Sequence, residues 1–327
     1  MEGEKAKQLV AETGLILLEK GLVARTWGNI SCRVSENEFA ISPSGMSYQR
    51  IKTENVPIFH IDTKEYDGPN KPSSEKKIHA AAYETFKDVN FVIHTHQDYA
   101  TAVGLVGAGV VNLSQKEREI LGTVRVAGYG LPGTKTLKNN VAKAMAEGSK
   151  VVLMIHHGAI ICGTDQEDAL KKAEVLEEVA KRVVGEKLDL ESFFKEESVT
   201  VPKGVKSAYK NLIVISEKGV IDAANAGGFK AQTDDMAQMI GGKLRSVENN
   251  ENAILSVLAK QDAVLVKGVG ALVKADEDDD AAALALLVKK AVLSKAYTDK
   301  CGVKIKLSGF DCTLMRTVYK MKYSKKK

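Results

Sequence analysis

Two stretches of this chain, VLMIHHGAIICGTDQEDALKKA at 152–173 and VLVKGVGALVKADEDDDAAALA at 264–285, align without a gap at a shift of 112 residues. Identical pairs are Val152/Val264, Leu153/Leu265, Gly158/Gly270, Ala159/Ala271, Asp168/Asp280, Ala169/Ala281 and Ala173/Ala285. The strand–turn–helix rhythm matches along the whole stretch. A helical pattern precedes each copy in the same register, at 139–148 and 251–260. A chain that repeats a supersecondary unit at fixed spacing has to fold that unit twice. Its 327 residues are also more than one hydrophobic core usually serves, so two domains are expected. The copies part at the turn, where His156-His157-Gly158 becomes Gly268-Val269-Gly270. The second copy keeps the fold signal and loses the imidazoles.

Ahead of the repeat, short β-branched runs alternate with helical patterns, which marks an α/β architecture. Strands are expected at 30–34, 38–41, 56–62, 91–96 and 151–155. The stretch SSEKKIHAAAYETF predicts a helix over 73–86, with Ser73 as its cap and Glu75 near its start. A longer helix is expected over 165–184, with Ala169, Ala173, Leu176, Val179, Ala180 and Val183 on its apolar face. The segment 189–206 mixes charge, Pro and Gly and reads as a linker, which sets one domain at 1–188 and a second at 207–327. The opening MEGEKAKQLVAETGLILLEKG places Leu9, Val10, Thr13, Ile16 and Leu17 at helical spacing. It is interrupted by Glu12 and has no small-residue cleavage site, so a folded helix is expected there rather than a signal peptide. No apolar run reaches the length of a membrane span. Four scattered cysteines without a CxxC pair fit a reduced cytoplasm. The formal charge is +5, with much of the excess in the final KMKYSKKK. Without aromatic–basic interleaving elsewhere, that tail reads as a solvated terminus and not as a nucleic-acid contact.

Four of the six histidines fall in two short motifs, His94 and His96 in VNFVIHTHQDYATA and the pair His156 and His157. Residues i and i+2 of an extended segment share a face, so His94 and His96 are expected side by side where the pattern asks for aliphatics. Each pair closes an apolar strand, the place where a loop-side site is built. A catalytic zinc takes three protein ligands and keeps one position open, and Glu75, opening a helix, is an available carboxylate. The turns Thr26-Trp27-Gly28-Asn29, Ser42-Pro43-Ser44-Gly45 and Pro72-Ser73-Ser74 are small and hydroxyl-rich. Backbone N–H groups at such turns can cradle an anion, and beside a metal set they point to a phosphate-bearing substrate.

Gly28-Asn29-Ile30-Ser31, ISPSG at 41–45, PSSE at 72–75 with His79, HTH at 94–96 and HHG at 156–158 follow one another as in the class II aldolase/adducin family. The chain resembles the fuculose-phosphate aldolase branch over roughly residues 5–185. The resemblance implies a three-layer α/β/α sandwich around a mostly antiparallel sheet, followed by a degenerate second copy. It implies that His94, His96 and His157 bind one divalent metal per chain, usually zinc, with His156 a neighbour. Glu75 would both approach the metal and act as acid/base, while Gly28, Asn29, Ser44, Gly45, Ser73 and Ser74 would bind substrate phosphate. The reaction implied is cleavage of a phosphorylated ketose to dihydroxyacetone phosphate and an aldehyde, through an enediolate that zinc stabilises. Glutamate at position 75 favours the aldolase side, since pentulose-phosphate 4-epimerases of the family typically carry Asp there. The alternatives are a decarboxylase, dehydratase or epimerase acting on a phosphorylated sugar derivative, or a non-catalytic adducin-like binding module. Aldolases of this branch take a protonating tyrosine from a neighbouring subunit or from the tail. The stretch 104–124 holds none, which leaves Tyr319 and Tyr323 as candidates. The expected setting is cytoplasmic, without membrane or nucleic-acid partners, as a homo-oligomer or as a pseudo-dimer formed within one chain.

Overall fold

The computed structural model describes all residues except Arg25, Ala108, Val110, Val111 and 324–327, and only the backbone of Lys322 and Tyr323. The chain divides into two units, Met1–Val183 and Val184–Lys327. The last four residues of the KMKYSKKK tail, and the side chains of Lys322 and Tyr323, lie outside the described residues. Among the described residues no helix is long and apolar enough to cross a membrane.

The first unit contains strands β1 (Asn29–Arg33), β2 (Glu38–Ile41), β3 (Ile58–His60), β4 (Tyr66–Asp67), β5 (Phe91–Thr95), β6 (Val124–Ala127), β7 (Val151–Met154) and β8 (Gly158–Gly163). They form one sheet in the order β4-β3-β2-β1-β5-β8-β7-β6. Every neighbouring pair is antiparallel except β6 and β7. Its helices are α1 (Gly3–Glu19), α2 (Lys76–Thr85), α3 (Asp98–Val106), α4 (Gln115–Leu121), α5 (Lys135–Ala146) and α6 (Gln166–Gly185), and the division between the units falls in the last turn of α6.

The inner strands β5, β7 and β8 are buried at every position because both faces of the sheet are covered. Alternate residues Val92, Val152, Met154, Ile160 and Cys162 pack with Ile78, Ala82 and Tyr83 of α2 and Leu137, Val141 and Met145 of α5. The intervening residues Ile93, Val151, Leu153 and Ile161 are equally buried and face the other way. There α3 lies against β7, where a Cβ on Gly104 would sit in ordinary contact with Leu153, 3.5 Å away. The opening segment is a helix as expected, and it packs on β1 and β2. The result is the α/β/α sandwich that the resemblance implied.

Two boundaries differ from expectation for local reasons. The helix expected from Ser73 starts at Lys76, and Glu75, not Ser73, occupies the cap position. Ser73 belongs to the preceding loop, where its N–H donates to the Ser42 carbonyl at 3.1 Å. The strand expected over 56–62 shortens to β3, because Lys64 N–H donates to the His60 carbonyl and closes a turn.

The second unit runs α7 (Leu190–Phe193), α8 (Lys203–Ala208), β9 (Asn211–Ile215), α9 (Lys218–Asn225), β10 (Gly228–Lys230), α10 (Asp234–Met239), β11 (Lys243–Val247), α11 (Glu251–Leu258), β12 (Ala263–Val266), β13 (Gly270–Ala275), α12 (Asp278–Lys300) and α13 (Gly309–Tyr323). The segment 189–206, read as a linker, therefore carries α7 and part of α8. Asp189 caps α7 by accepting from Ser192 N–H at 3.1 Å, a signal hidden by the surrounding charge. The sheet order is β10-β11-β12-β13-β9. Within it, β11 runs parallel to β12, and β12, β13 and β9 are antiparallel in turn. That is the order and direction of β6, β7, β8 and β5, and α8 packs on α11 as α2 packs on α5.

Candidate metal centre

Three pieces of chain meet at one end of the first sheet. Asn29 pairs with His94 across β1 and β5, and Thr95 pairs with Ala159 across β5 and β8. The approach is too close for side chains on two of the glycines. A Cβ on Gly28 would lie 2.4 Å from the carbonyl oxygen of His94, and one on Gly158 would lie 2.1 Å from that of Thr95. Between β7 and β8 the chain reverses with His156 in the left-handed region, φ 69°. His157 N–H donates to the Met154 carbonyl at 3.0 Å and closes that turn. His156 packs edge-on against Tyr129, with ring centroids 4.9 Å apart, while His157 faces the Glu75 carboxylate.

The imidazoles of His94, His96 and His157 gather there, with one ring nitrogen of each within 4.8 Å of the others. The His94 and His157 rings stack at 4.9 Å and 6°. Trp27 stacks over His96 from outside, at 6.4 Å. The Glu75 carboxylate closes the set, with Oε1 3.0 Å from His157 Nε2 and Oε2 3.2 Å from His94 Nε2. Burial alone would raise the Glu75 carboxyl. The charges of His94 and His157 override it, with hydrogen bonds from His157 and Asn29, and hold the group well below the usual carboxylate range.

The donor chemistry fits a divalent metal. A carbonyl only accepts, so the 2.8 Å contact of His94 Nδ1 with Ala159 O places a proton on Nδ1 and turns Nε2 inward. That nitrogen then faces His96 Nε2 at 3.1 Å and Glu75 Oε2 at 3.2 Å. Electron-rich atoms this close need a proton or a cation among them. Three imidazole nitrogens and a carboxylate are ligands for zinc and neighbouring transition ions, and a carbonyl on the far ring nitrogen is a usual orienting partner.

The expected phosphate-binding residues lie on loops laced to this centre. Ser42 and Ile30 exchange hydrogen bonds, Pro43 bridges Pro72, and Ser44 N–H donates to the Lys71 carbonyl at 2.8 Å. Gly45 has φ +71°, as a turn of this kind requires. Ser73 is buried, with Oγ accepting from Glu75 N–H at 3.3 Å, and Ser74 is exposed. The Asn29 amide is engaged at both ends: Nδ2 donates to Glu75 Oε2 at 2.9 Å and Oδ1 meets His79 Nε2 at 2.5 Å.

Sequence reasoning gave no role to two groups. Lys71, Lys76 and Lys77 flank the PSSE loop, and Lys76 is lowered from its ordinary value by burial and by the charges of the other two. The run KPSSEKK displays them plainly. The other group is Ser31, His79 and Tyr83, buried and polar behind Glu75. Their signal was a hydroxyl between Ile30 and Cys32 in β1 and a His/Tyr pair four apart on an apolar helix face.

The mixed sheet between helix layers gathers three imidazoles and a carboxylate at its strand ends, and the fold is similar to that of class II aldolase structures. Residues 8–184 match the family described as Class II Aldolase and Adducin N-terminal domain, and the chain belongs to that family. It is 30% identical over 190 residues to L-ribulose-5-phosphate 4-epimerase UlaF of Salmonella paratyphi C, covering 54% of this chain and 83% of that one. It is 33% identical over 175 residues to 5-deoxy-D-ribulose 1-phosphate aldolase of Bacillus thuringiensis serovar kurstaki, covering 53% and 82%. Among solved structures, an L-fuculose 1-phosphate aldolase superposes with a TM-score of 0.52 at 32% identity, over 62% of this chain and 93% of that one.

Proposed function

We propose that the first unit is a divalent-metal-dependent aldolase that cleaves a phosphorylated ketose to dihydroxyacetone phosphate and an aldehyde. The observation that carries this reading is the Glu75 carboxylate, buried beside His94 and His157 at the end of the sheet. Its support from relatives is the similarity to two proteins named as sugar-phosphate aldolases.

His94, His96 and His157 would hold the metal, with Glu75 as the approaching carboxylate. When bound, such an ion supplies Lewis acidity toward a carbonyl and its neighbouring hydroxyl. In the condensation direction the Glu75 carboxylate removes the proton from the carbon beside the ketone. In cleavage it returns that proton to the same carbon. The loops of Gly28, Ser44, Gly45, Ser73 and Ser74, with Lys71, Lys76 and Lys77 beside them, provide N–H, hydroxyl and cationic donors for the phosphate. Binding energy from that remote group orients the bond to be broken.

The similarity to a 4-epimerase supports a second reading, inversion at a carbon of a pentulose phosphate. Glu rather than Asp at position 75 favours the aldolase. The test is release of dihydroxyacetone phosphate from a panel of ketose 1-phosphates by the zinc-loaded chain and its Glu75→Gln variant. We expect release by the wild type, and a fall of about 100-fold in the variant, roughly 2.7 kcal/mol. Interconversion of pentulose 5-phosphates without any release would move the assignment to the epimerase. Release by Glu75→Gln at the wild-type rate would remove Glu75 from its role.

A further inference from the structure

We propose that His79 is a positioning residue for Glu75, acting through a hydrogen-bond chain of single polarity that runs from Tyr83 through Ser31, His79 and Asn29 to the Glu75 carboxylate. The links are Tyr83 OH to Ser31 Oγ at 2.7 Å, Ser31 Oγ to His79 Nδ1 at 2.6 Å, His79 Nε2 to Asn29 Oδ1 at 2.5 Å, and Asn29 Nδ2 to Glu75 Oε2 at 2.9 Å. All four supporting side chains are buried: Ser31 and His79 fully, Tyr83 at 1% exposure and Asn29 at 4%. The far end is anchored as well. The Arg33 guanidinium lies 4.6 Å over the Tyr83 ring and donates to the carbonyls of Tyr83, Phe86 and Val89.

With a neutral imidazole, such a chain has only two self-consistent settings. The ion-paired Glu75 carboxylate only accepts, so Asn29 must present its N–H₂ there and its carbonyl to His79. His79 then carries its proton on Nε2 and accepts at Nδ1 from the Ser31 hydroxyl, which accepts in turn from Tyr83. Burial, with the charge of His94 adding to it against Glu75, lowers His79 to about 3, which keeps the ring neutral. The reverse setting turns the Asn29 carbonyl toward the Glu75 carboxylate and protonates His79 at Nδ1. Two acceptors in contact would push Glu75 off His94 and His157. Nothing in Asn29 itself selects between the settings, because its amide can rotate by half a turn. The Glu75 carboxylate makes that selection, and His79, held by Ser31, keeps a donor on Asn29 Oδ1 so that the amide stays in it; neither Ser31 nor Tyr83 needs to touch substrate.

The proposal rests on the function above only for what the carboxylate is used for; the polarity can be tested without any reaction. In the metal-free full chain labelled with ¹⁵N-histidine, His79 is expected to show a protonated, pyrrole-type Nε2 and a pyridine-type Nδ1. Its signals are assigned by their loss in His79→Gln. A protonated Nδ1, or an imidazolium, overturns the proposal. Zinc affinity, measured by competition with a chelator, gives the second readout. His79→Leu is expected to weaken zinc binding by about 10–100-fold, the usual cost of losing an orienting partner. His79→Gln, whose amide can donate to Asn29, is expected to recover most of it. Equal affinity in wild type and His79→Leu, or equal weakness of the two variants, makes His79 a packing residue and sinks the proposal. If wild type takes up no zinc, the metal reading fails, and the nitrogen spectrum alone decides the polarity. It also decides if His79→Leu does not fold.

Discussion

In the first unit the turn between β7 and β8 sets His156 at φ 69° and then Gly158, whose Cβ would lie 2.1 Å from the carbonyl of Thr95. In the second, the turn between β12 and β13 sets Gly268 at φ 71° and then Gly270, whose Cβ would lie 2.1 Å from the carbonyl of Ile215. The backbones are the same device, and the residue between the two marked positions is His157 in one and Val269 in the other. Register extends the comparison. His94 lies opposite Ile160, and Val214 lies opposite Leu272, so Val214 stands where His94 does and Ser216 where His96 does. Pro202 caps α8 as Glu75 caps α2. Every group of the metal set has a counterpart without ligand chemistry. Val269 is instead part of a core with Val205, Ile254 and Leu258. The hairpin and its close glycine therefore belong to the scaffold, which holds without the site. The second unit also has no counterpart, among its described residues, to β1–β4, so the loops around Gly28, Ser44 and Gly45 are absent with the ligands.

Exchanging the two residues at the turn gives the largest expected effect. His157→Val should abolish stoichiometric zinc in elemental analysis and lower kcat/KM for sugar-phosphate cleavage by about 1,000-fold, roughly 4 kcal/mol. The converse Val269→His should gain no metal and should cost about 1–3 kcal/mol in denaturant unfolding, since it buries an imidazole among aliphatics. A metal gained by Val269→His would show that the second unit is less changed than its register indicates.

Acid should separate the units next. All six histidines lie in the first. His79 is lowered from 6.5 to about 3, so as pH falls the unfolded chain takes up its proton before the folded one does. Stability is full above pH 6.5 and drains as pH drops toward about 3, by up to about 1.4 kcal/mol per pH unit in the metal-free protein. The lowered Glu75 adds to the same slope below its ordinary value of 4.5. Amide protection measured by mass spectrometry should fall within 1–183 between pH 6.5 and 4.5, and much less within 184–327. The His79→Gln variant should flatten the difference. The smallest effect is expected from His156→Gly, which copies Gly268. It removes a non-glycine residue from the left-handed region, so stability should move by less than about 1 kcal/mol with zinc retained.

Much of this was legible in the chain. The shift of 112 residues places β12 on β7, β13 on β8 and α12 on α6, because strand and helix periodicities do not depend on the ligand residues. The relation of β9 to β5 was not legible. Its spacing is 120 residues and it carries no histidine, so only the ladder shows it. His94, His96, His157 and Glu75 could be named from motifs, and the structure brings their side chains together. The network behind Glu75 could not, since hydrogen bonds between Ser31, His79 and Tyr83 depend on how β1 and α2 cross.

Trp27 is the sole tryptophan of the chain, and its ring lies over His96. The ultraviolet emission of this protein therefore comes from one spot, at the mouth of the histidine cluster. An ion with a closed electron shell should leave that light on, while one with unpaired electrons should put it out, so titration under a lamp would sort zinc from cobalt or copper before any substrate is known.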